Sequence, residues 1–554
     1  MRVADLVLDI LAAHGVRDIF GVPGDAINDI TDALRQRDDM RFILVRHEEA
    51  GAFMAGAQAK LSGRLAACVG TAGPGAIHLL NGLYDAKLDH APVIAITGQA
   101  PTQFIGTNYH QEVDLAGLFS DVAEYSQTVM AEEQLPGLML EACKAAISAP
   151  GVAHISIPTN VAGRKVKPER CDFTLGSEKG ETRPCAPSLA EAVRLIDEAE
   201  DVAILAGIGA SRAKAELLEI SERLQAPIVR TLRAKDFIDE DEEACIGGLG
   251  LLGGVPASEA MEKCGLLLIV GADFPYTTFY PEKAKIVQIE PVPERMGRRA
   301  PVAAPLRGHA KPSLEALLEN VRQKENGKFY RRMQEAKRKW LNDQRKAEQS
   351  SSKPIKPQRL VADIAAVSPS DAIFISDTGT ATAWTARHLP IRNEQRYTLS
   401  SSLASMAFAM PGAIGAQLLY PDRRVVAVTG DGGFNMLMGD FVTAVQYELP
   451  IVCVVLNNAK LAFIALEQQA KGLPEHSIAL DNPDFAAVAQ ACGGFGKRVE
   501  HPDEIVPALE EAFASGKPAV LDVIVNPDEL IMPPKITLEQ AANFGLAKWK
   551  EFWS

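Results

Sequence analysis

Apolar positions along this chain follow two patterns. Short uninterrupted runs rich in β-branched residues, among them "LAACVG", "PVIAITG", "DVAILAG", "LLLIVGADF", "KIVQIE", Val425–Val428 and Ile451–Leu456, read as strands buried on both faces of a parallel sheet. Between them lie stretches with apolar residues at helical spacing, such as Met438 to Glu448, where one helix is expected. The opening "MRVADLVLDILAAHGV" places Leu, Ile and Val at helical spacing around an acidic residue, which predicts an amphipathic first helix rather than a signal peptide. Alternating strands and helices predict an α/β fold in three blocks, 1–165, 188–325 and 357–530, with a tail at 531–554. A polar stretch, "GRKVKPERCDFTLGSEKGETRPCAPS", separates the first two blocks. A charge-dense one, in which Phe329, Met333 and Trp340 mark a partly packed helix, separates the last two.

Composition narrows the function classes. With 57 basic against 71 acidic residues and a formal charge of −14, the chain has no basic excess for a nucleic-acid backbone, so nucleic acid is not an expected partner. Eight cysteines are scattered without a CxxC pair, which indicates neither a disulfide framework nor a zinc site and fits a reducing cytoplasm. No apolar run reaches the roughly 18 residues of a membrane span. Peripheral contact with a membrane stays open through Trp549, Phe552 and Trp553 in "LAKWKEFWS", where a packed final helix is the competing reading.

Two motifs stand directly after buried runs. Gly430-Asp431-Gly432-Gly433 follows the first, Asn457-Asn458 follows the second, and 24 residues from Gly433 to Leu456 separate them. Both would fall at strand carboxyl ends, the edge where open α/β sheets bind ligands. Asp431 and Asn458 would then offer hard oxygen ligands suited to Mg²⁺, and the glycines would let backbone approach a diphosphate. A plain Gly-Asp-Gly turn is the competing reading of the first motif. In the first block, "RHEEAGAFMAGAQAKLSG" places Glu48 at a strand-to-helix junction; it reads either as a functional carboxylate or as an acidic helix start favoured by the dipole.

The spacing of these motifs resembles that of thiamine diphosphate enzymes. Over nearly its whole length the chain resembles the pyruvate oxidase and pyruvate:quinone oxidoreductase group of the acetolactate synthase superfamily, in "FGVPGD", "RHEEAGAFMAG", "GTAGPGAIHLLNGLYDAKLDHAPVIAITG", "GADFPYTTFYPEKAKIVQIE", "GDGGFNMLMGDF", "NNAKLAFIALE" and "PPKITLEQAANF". The resemblance implies three doubly wound parallel-sheet domains, binding in order the cofactor's pyrimidine, a flavin, and the diphosphate with its metal. It implies that Glu48 holds the pyrimidine ring in its reactive tautomer, and that Asp431, Asn458 and the carbonyl of Lys460 bind Mg²⁺. Ala404, Ser405 and Met406, Gly430, Gly432 and Gly433, and Leu461, Ala462, Phe463 and Ile464 complete the implied thiamine site, with Met406 as the wedge that bends the cofactor. Gln111, Phe463 and Glu467 are the implied substrate-side residues; His110 beside Gln111 is a further candidate, for which the substitution of one planar ring for another is the bland alternative. For Met406 a place in the core, and for Phe463 and Glu467 an ordinary helix face, are the bland alternatives.

For FAD the resemblance points to Gly207, to Leu249, Gly250, Leu251 and Leu252, to Ala272, Asp273, Phe274, Pro275 and Tyr276, and to Glu290. As a dinucleotide fingerprint "GIGASRAKAEL" alone is weak, because it lacks a third glycine. The chain departs from the group at three places: Glu290 and His309 stand where Asp is usual, and His110 where Phe is usual. The implied activity is oxidative decarboxylation of pyruvate or a close 2-oxo acid, with electrons passing through FAD to quinone or oxygen, in a homodimer or homotetramer whose site joins two subunits. A non-oxidative acetolactate-forming carboligase or 2-oxo acid decarboxylase is the rival, and a cofactor-binding scaffold without turnover is a third reading.

Overall fold

A computed structural model of the protein describes residues 1–148, 150–167 and 180–529, with Ile531 and Pro534 beyond them. The tail expected at 531–554 otherwise lies outside the described residues, as do residues 168–179 of the first connection. Three six-stranded sheets organise the chain, and every ladder in them is parallel. The first contains β1 (Asp18–Gly21), β2 (Arg41–Leu44), β3 (Ala66–Gly70), β4 (Val93–Gln99), β5 (Tyr125–Thr128) and β6 (Val152–Pro158), in the order β2-β1-β3-β4-β6-β5. The second contains β7 (Val202–Ala206), β8 (Ile228–Arg230), β9 (Cys245–Gly248), β10 (Leu266–Val270), β11 (Lys285–Glu290) and β12 (Ala304–Arg307), in the order β12-β11-β10-β7-β8-β9. The third contains β13 (Ile373–Ser376), β14 (Arg396–Leu399), β15 (Val425–Gly430), β16 (Val452–Asn457), β17 (Phe495–Val499) and β18 (Ala519–Ile524), in the order β14-β13-β15-β16-β18-β17.

The first and third sheets thus share one strand order, and the middle sheet has the order of dinucleotide-binding folds. In each, strand order reverses between two central strands: β1 and β3, β7 and β10, β13 and β15. The crevices outside those carboxyl ends are the favoured ligand positions in open α/β sheets. The continuous apolar runs form the central strands because helices cover both faces, and β3, β4, β10 and β16 are buried throughout.

The first and third sheets pack through an internal helix. Helix Glu48–Ser62 is so rich in Ala and Gly that its neighbours approach from all sides, and helix Ala409–Leu419 crosses it closely. A Cβ at Gly415 would lie 2.5 Å from the Met54 carbonyl oxygen, so only glycine permits this crossing. Gln58 donates to the Gly415 carbonyl at 3.1 Å, and Phe53 meets Phe408 edge-to-face at 5.5 Å. Beneath them Lys60 is buried between Asp85 and Asp89, 2.7 Å from each, and donates to the Leu399 carbonyl at 2.9 Å.

One local expectation needs correction. The single helix expected over Met438 to Glu448 is broken by a 3₁₀ turn at Met438–Asp440, before helix Phe441–Gln446. The Asp440 carboxylate accepts from the Arg46 amide and from the Thr443 hydroxyl, so it ties this break to the first domain instead of continuing the helix. At 430–433 the competing reading of a plain turn is not what the structure has: Gly430 ends β15 and Asp431 begins helix Asp431–Leu437.

Replacing Lys60 with methionine leaves the buried Asp85 without its cation and Asp89 with Arg233 alone, and the expected cost is about 3–5 kcal/mol. Urea unfolding of K60M followed by circular dichroism checks this; an unshifted midpoint would show that the cluster contributes nothing net.

Candidate active site

In the third domain the chemistry gathers where β15 and β16 end. Asp431 is 2 % exposed; its carboxylate accepts from the Gly432 amide at 2.9 Å and from Asn482 Nδ2 at 2.7 Å. Burial raises the proton affinity of this carboxyl, against the hydrogen bonds from Asn482 and Gly432. Asn482 also donates to Asn457 Oδ1 at 3.2 Å, and Asn457 in turn donates to the buried Asp522 at 2.8 Å. Asn458 Oδ1 accepts the Lys460 amide at 3.1 Å, while the Lys460 carbonyl accepts from Ala462 at 2.9 Å. Asn482 sits in the loop "ALDNPDF", which has no motif to reveal it.

The glycines of this motif are needed for space. A Cβ on Gly433 would fall 2.2 Å from Asp377 Oδ2, and one on Gly432 would fall 3.2 Å from Met406 Cε and 2.8 Å from Leu461 Cδ2. The structure therefore brings Met406 and Leu461 to the Asp431 turn. Met406 lies between Ala404 and Ala407, both with positive φ (57° and 70°), and Ser405 accepts from Asn81 at 2.9 Å. Asp377, absent from the sequence-based candidates, follows β13 across the sheet crevice. Burial pushes its carboxyl up to about 6 despite hydrogen bonds from Thr429, Thr378 and Phe408.

In the first domain Glu48 opens its helix, 7 % exposed, with His47 as N-cap accepting the Glu49 amide at 3.2 Å. Glu48 Oε2 accepts from His78 Nδ1 at 2.9 Å, a partner that sequence reasoning passed over. Gln111 has a φ of 58° and packs its backbone against Gly73, whose own φ is 64°. His110 is exposed beside it. Glu48, Gln111 and His110 are thus grouped on the first domain, and Asp431, Asn458, Lys460 and Met406 on the third.

A cavity of about 1570 Å³ opens at the carboxyl edge of the middle sheet. Gly207, Leu249 to Leu252, Ala272 to Tyr276 and Glu290 all line it, together with Ala404, Phe463 and Glu467 from the third domain. Phe463 and Glu467 share one face of helix Ala462–Ala470 by their i, i+4 spacing, while Ile464 points elsewhere and is exposed. Gly207 and Gly271 close the crevice between β7 and β10, where a Cβ on Gly207 would lie 2.2 Å from the Gly271 carbonyl. Glu290 is 6 % exposed and accepts from the Val292 amide at 3.0 Å, and burial raises its proton affinity. His309 caps helix Ala310–Leu318 and accepts from the Thr182 amide at 3.0 Å. Arg212, Arg233, Arg295 and Lys311 add positive charge to the walls.

Family models match all three domains: residues 1–118 the N-terminal thiamine pyrophosphate binding domain, 189–317 the central domain, and 377–523 the C-terminal thiamine pyrophosphate binding domain. The chain belongs to the thiamine pyrophosphate enzymes. It is 41% identical to a thiamine pyrophosphate-containing protein of Bacillus subtilis, over 98% of this chain and 95% of that one. It is 31% identical to a pyruvate oxidase of Lactiplantibacillus plantarum over 97% of this chain and 90% of the relative. It is also 31% identical to the large subunit of an Escherichia coli acetolactate synthase, isozyme 2, over 96% and 97%. Similarity therefore does not separate an oxidase from a carboligase.

The third-domain residues fit a hydrated divalent cation. They combine a buried carboxylate, an amide oxygen and a backbone carbonyl, all hard oxygens, and Asn482 Oδ1 is buried beside them without a hydrogen-bond partner. The Gly433→Ala variant would force its new methyl into the Asp377 carboxylate, with an expected cost of about 1–3 kcal/mol. Thermal melting checks this, and a melting temperature equal to that of the unsubstituted protein would refute the tight fit.

Proposed function

We propose that this thiamine pyrophosphate enzyme is a Mg²⁺-dependent oxidative decarboxylase of pyruvate or a close 2-oxo acid, passing electrons to FAD and then to quinone or oxygen. The observation that carries the reading is the middle-domain cavity. Its volume exceeds the roughly 300–1,000 Å³ of ordinary small-molecule sites, and it lies at the switch point of a sheet with dinucleotide-binding order. Its walls carry cations for a diphosphate and the buried Glu290 carboxylate for a ribose hydroxyl, and it reaches Phe463 and Glu467 on the third domain.

When bound, thiamine diphosphate supplies the electron sink for decarboxylation. In this reading Asp431, Asn458 and the Lys460 carbonyl would hold Mg²⁺, Gly430, Gly432 and Gly433 would leave room for a diphosphate, and Met406 would support the ring system. Glu48 would accept a hydrogen bond from the pyrimidine and fix its tautomer. Gln111, His110 and Glu467 orient the 2-oxo acid, and Phe463 helps exclude water. Glu48 and Asp431 would meet across two subunits. A homodimer is then the minimal active unit, and a homotetramer pairs two of them.

The second reading, a carboligase joining two 2-oxo acids, is favoured by His110, by the Glu and His at 290 and 309, and by the equal identity to an acetolactate synthase. The visible spectrum of the purified protein separates the two. Stoichiometric FAD that pyruvate bleaches only with thiamine diphosphate and Mg²⁺ present is the expected result, whereas a colourless protein that refuses FAD would put the carboligase first. Glu48→Gln should lower pyruvate turnover by about 10²–10⁴-fold, the usual contribution of acid–base assistance. An undiminished rate would remove Glu48 from the mechanism.

A further inference from the structure

The surroundings of Glu48 differ at its two oxygens. Oε2 is 2.9 Å from His78 Nδ1, while Oε1 lies 3.1 Å from where a Cβ on Gly75 would stand. Gly75 and His78 are three residues apart in the short helix Pro74–His78, so one helix face supplies both a donor for one oxygen and an open notch for the other. His78 is itself held from above: its ring stacks on His47 with centroids 4.4 Å apart and planes 24° apart. His47 Nδ1 accepts the Glu49 amide, so that nitrogen carries no proton, and the His47 ring is fixed as the N-cap. Asn81 then braces Glu49 at 2.6 Å and Ser405 at 2.9 Å, which links this cluster to the segment carrying Met406.

His47, Glu48 and His78 also bring three potential metal ligands within 4.8 Å of one another. The geometry argues against that use. Lone pairs of imidazole lie in the ring plane, so two nearly parallel stacked rings aim them side by side instead of at one point, and His47 Nδ1 is already occupied.

We infer that His78 is a positioning residue for Glu48: its Nδ1–H fixes Oε2, so that Oε1 alone is presented to the pyrimidine ring. This rests on the assignment of Glu48 to the pyrimidine. A hydrogen bond to an ionised partner is the stronger kind, and it replaces the water that burial of Glu48 removes.

The test uses full-length protein with three substitutions, Glu48→Gln, His78→Phe and His78→Asn. Phenylalanine keeps a ring for the stack but removes the donor; asparagine places Nδ2 close to the position of the imidazole Nδ1. Two quantities are read: the dissociation constant of thiamine diphosphate with Mg²⁺ by calorimetry, and the deuterium exchange rate of the bound cofactor's acidic C2 proton by quenched-flow NMR. For H78F the expected result is exchange slowed roughly tenfold, with H78N restored to within about threefold, as for loss and recovery of one charge-assisted hydrogen bond. Wild-type exchange in H78F, or equal loss in H78F and H78N, would overturn the inference, the latter because the imidazole would then act on the ligand itself. Wild-type exchange in E48Q would overturn the Glu48 assignment instead, so the two failures are distinguishable. Unaltered circular dichroism and melting of H78F and H78N are expected from the half-exposed ring; a shared loss of fold would assign His78 to the scaffold and also overturn the inference.

Discussion

The buried charge cluster around Lys60 is the interaction on which the arrangement of the three domains depends. Asp89 accepts from Lys60 and from the backbone amides of Ser401 and Ser402, and its own carbonyl accepts from Arg233 of the middle domain. Burial alone would raise the Asp89 proton affinity, but Lys60 and Arg233 outweigh it and hold the carboxyl well below its usual range. Asp85, sharing the same lysine without Arg233, is instead pushed up. One first-domain loop thus anchors the third-domain segment that leads to Met406 and a wall of the middle cavity. Breaking such a cluster costs far more than forming it gains, which makes it a device for unique geometry more than for net stability.

Around that anchor the sheets place their chemistry by topology. Strand order reverses at one crevice in each sheet, and the candidate residues collect there: Gly73 and Gly75 after β3, Gly207 and Ala272 after β7 and β10, Asp377 and Asp431 after β13 and β15. Glycines at these positions answer to space more than to flexibility. Gly433 leaves room for the Asp377 carboxylate, Gly415 for the helix crossing, and Gly207 for the neighbouring strand end. Positive φ at Ala404 and Ala407 is the opposite case, a backbone cost of about 1–3 kcal/mol each that persists because Asp377 and Ser400 hold the segment through the amides of Phe408 and Ser405.

Membership of the thiamine pyrophosphate enzymes rests on all three domains and on relatives matched across nearly the whole chain. The proposed choice of an oxidase over a carboligase turns on the middle domain, whose cavity opens at the carboxyl edge of its sheet and is lined by Glu290 and His309.

The sequence by itself determined the α/β class, the buried strands β3, β4, β7, β10, β11, β15 and β16, and the local setting of the candidate residues: Glu48 after a buried run, Asp431 between glycines, Asn458 after a second run. Each of these is legible because strand burial and strand-end chemistry are written in consecutive residues. What only the tertiary structure decided are the partners. His78 reaches Glu48 from 30 residues away, Asn482 reaches Asp431 from 51, and Asp377 meets Gly433 from another strand end. The break at Met438–Asp440 belongs to the same class, since Asp440 answers to Arg46 in another domain. Periodicity reports which face of an element is buried, but the group that will face it across a crevice is set by strand order and domain packing, and neither leaves a local signature.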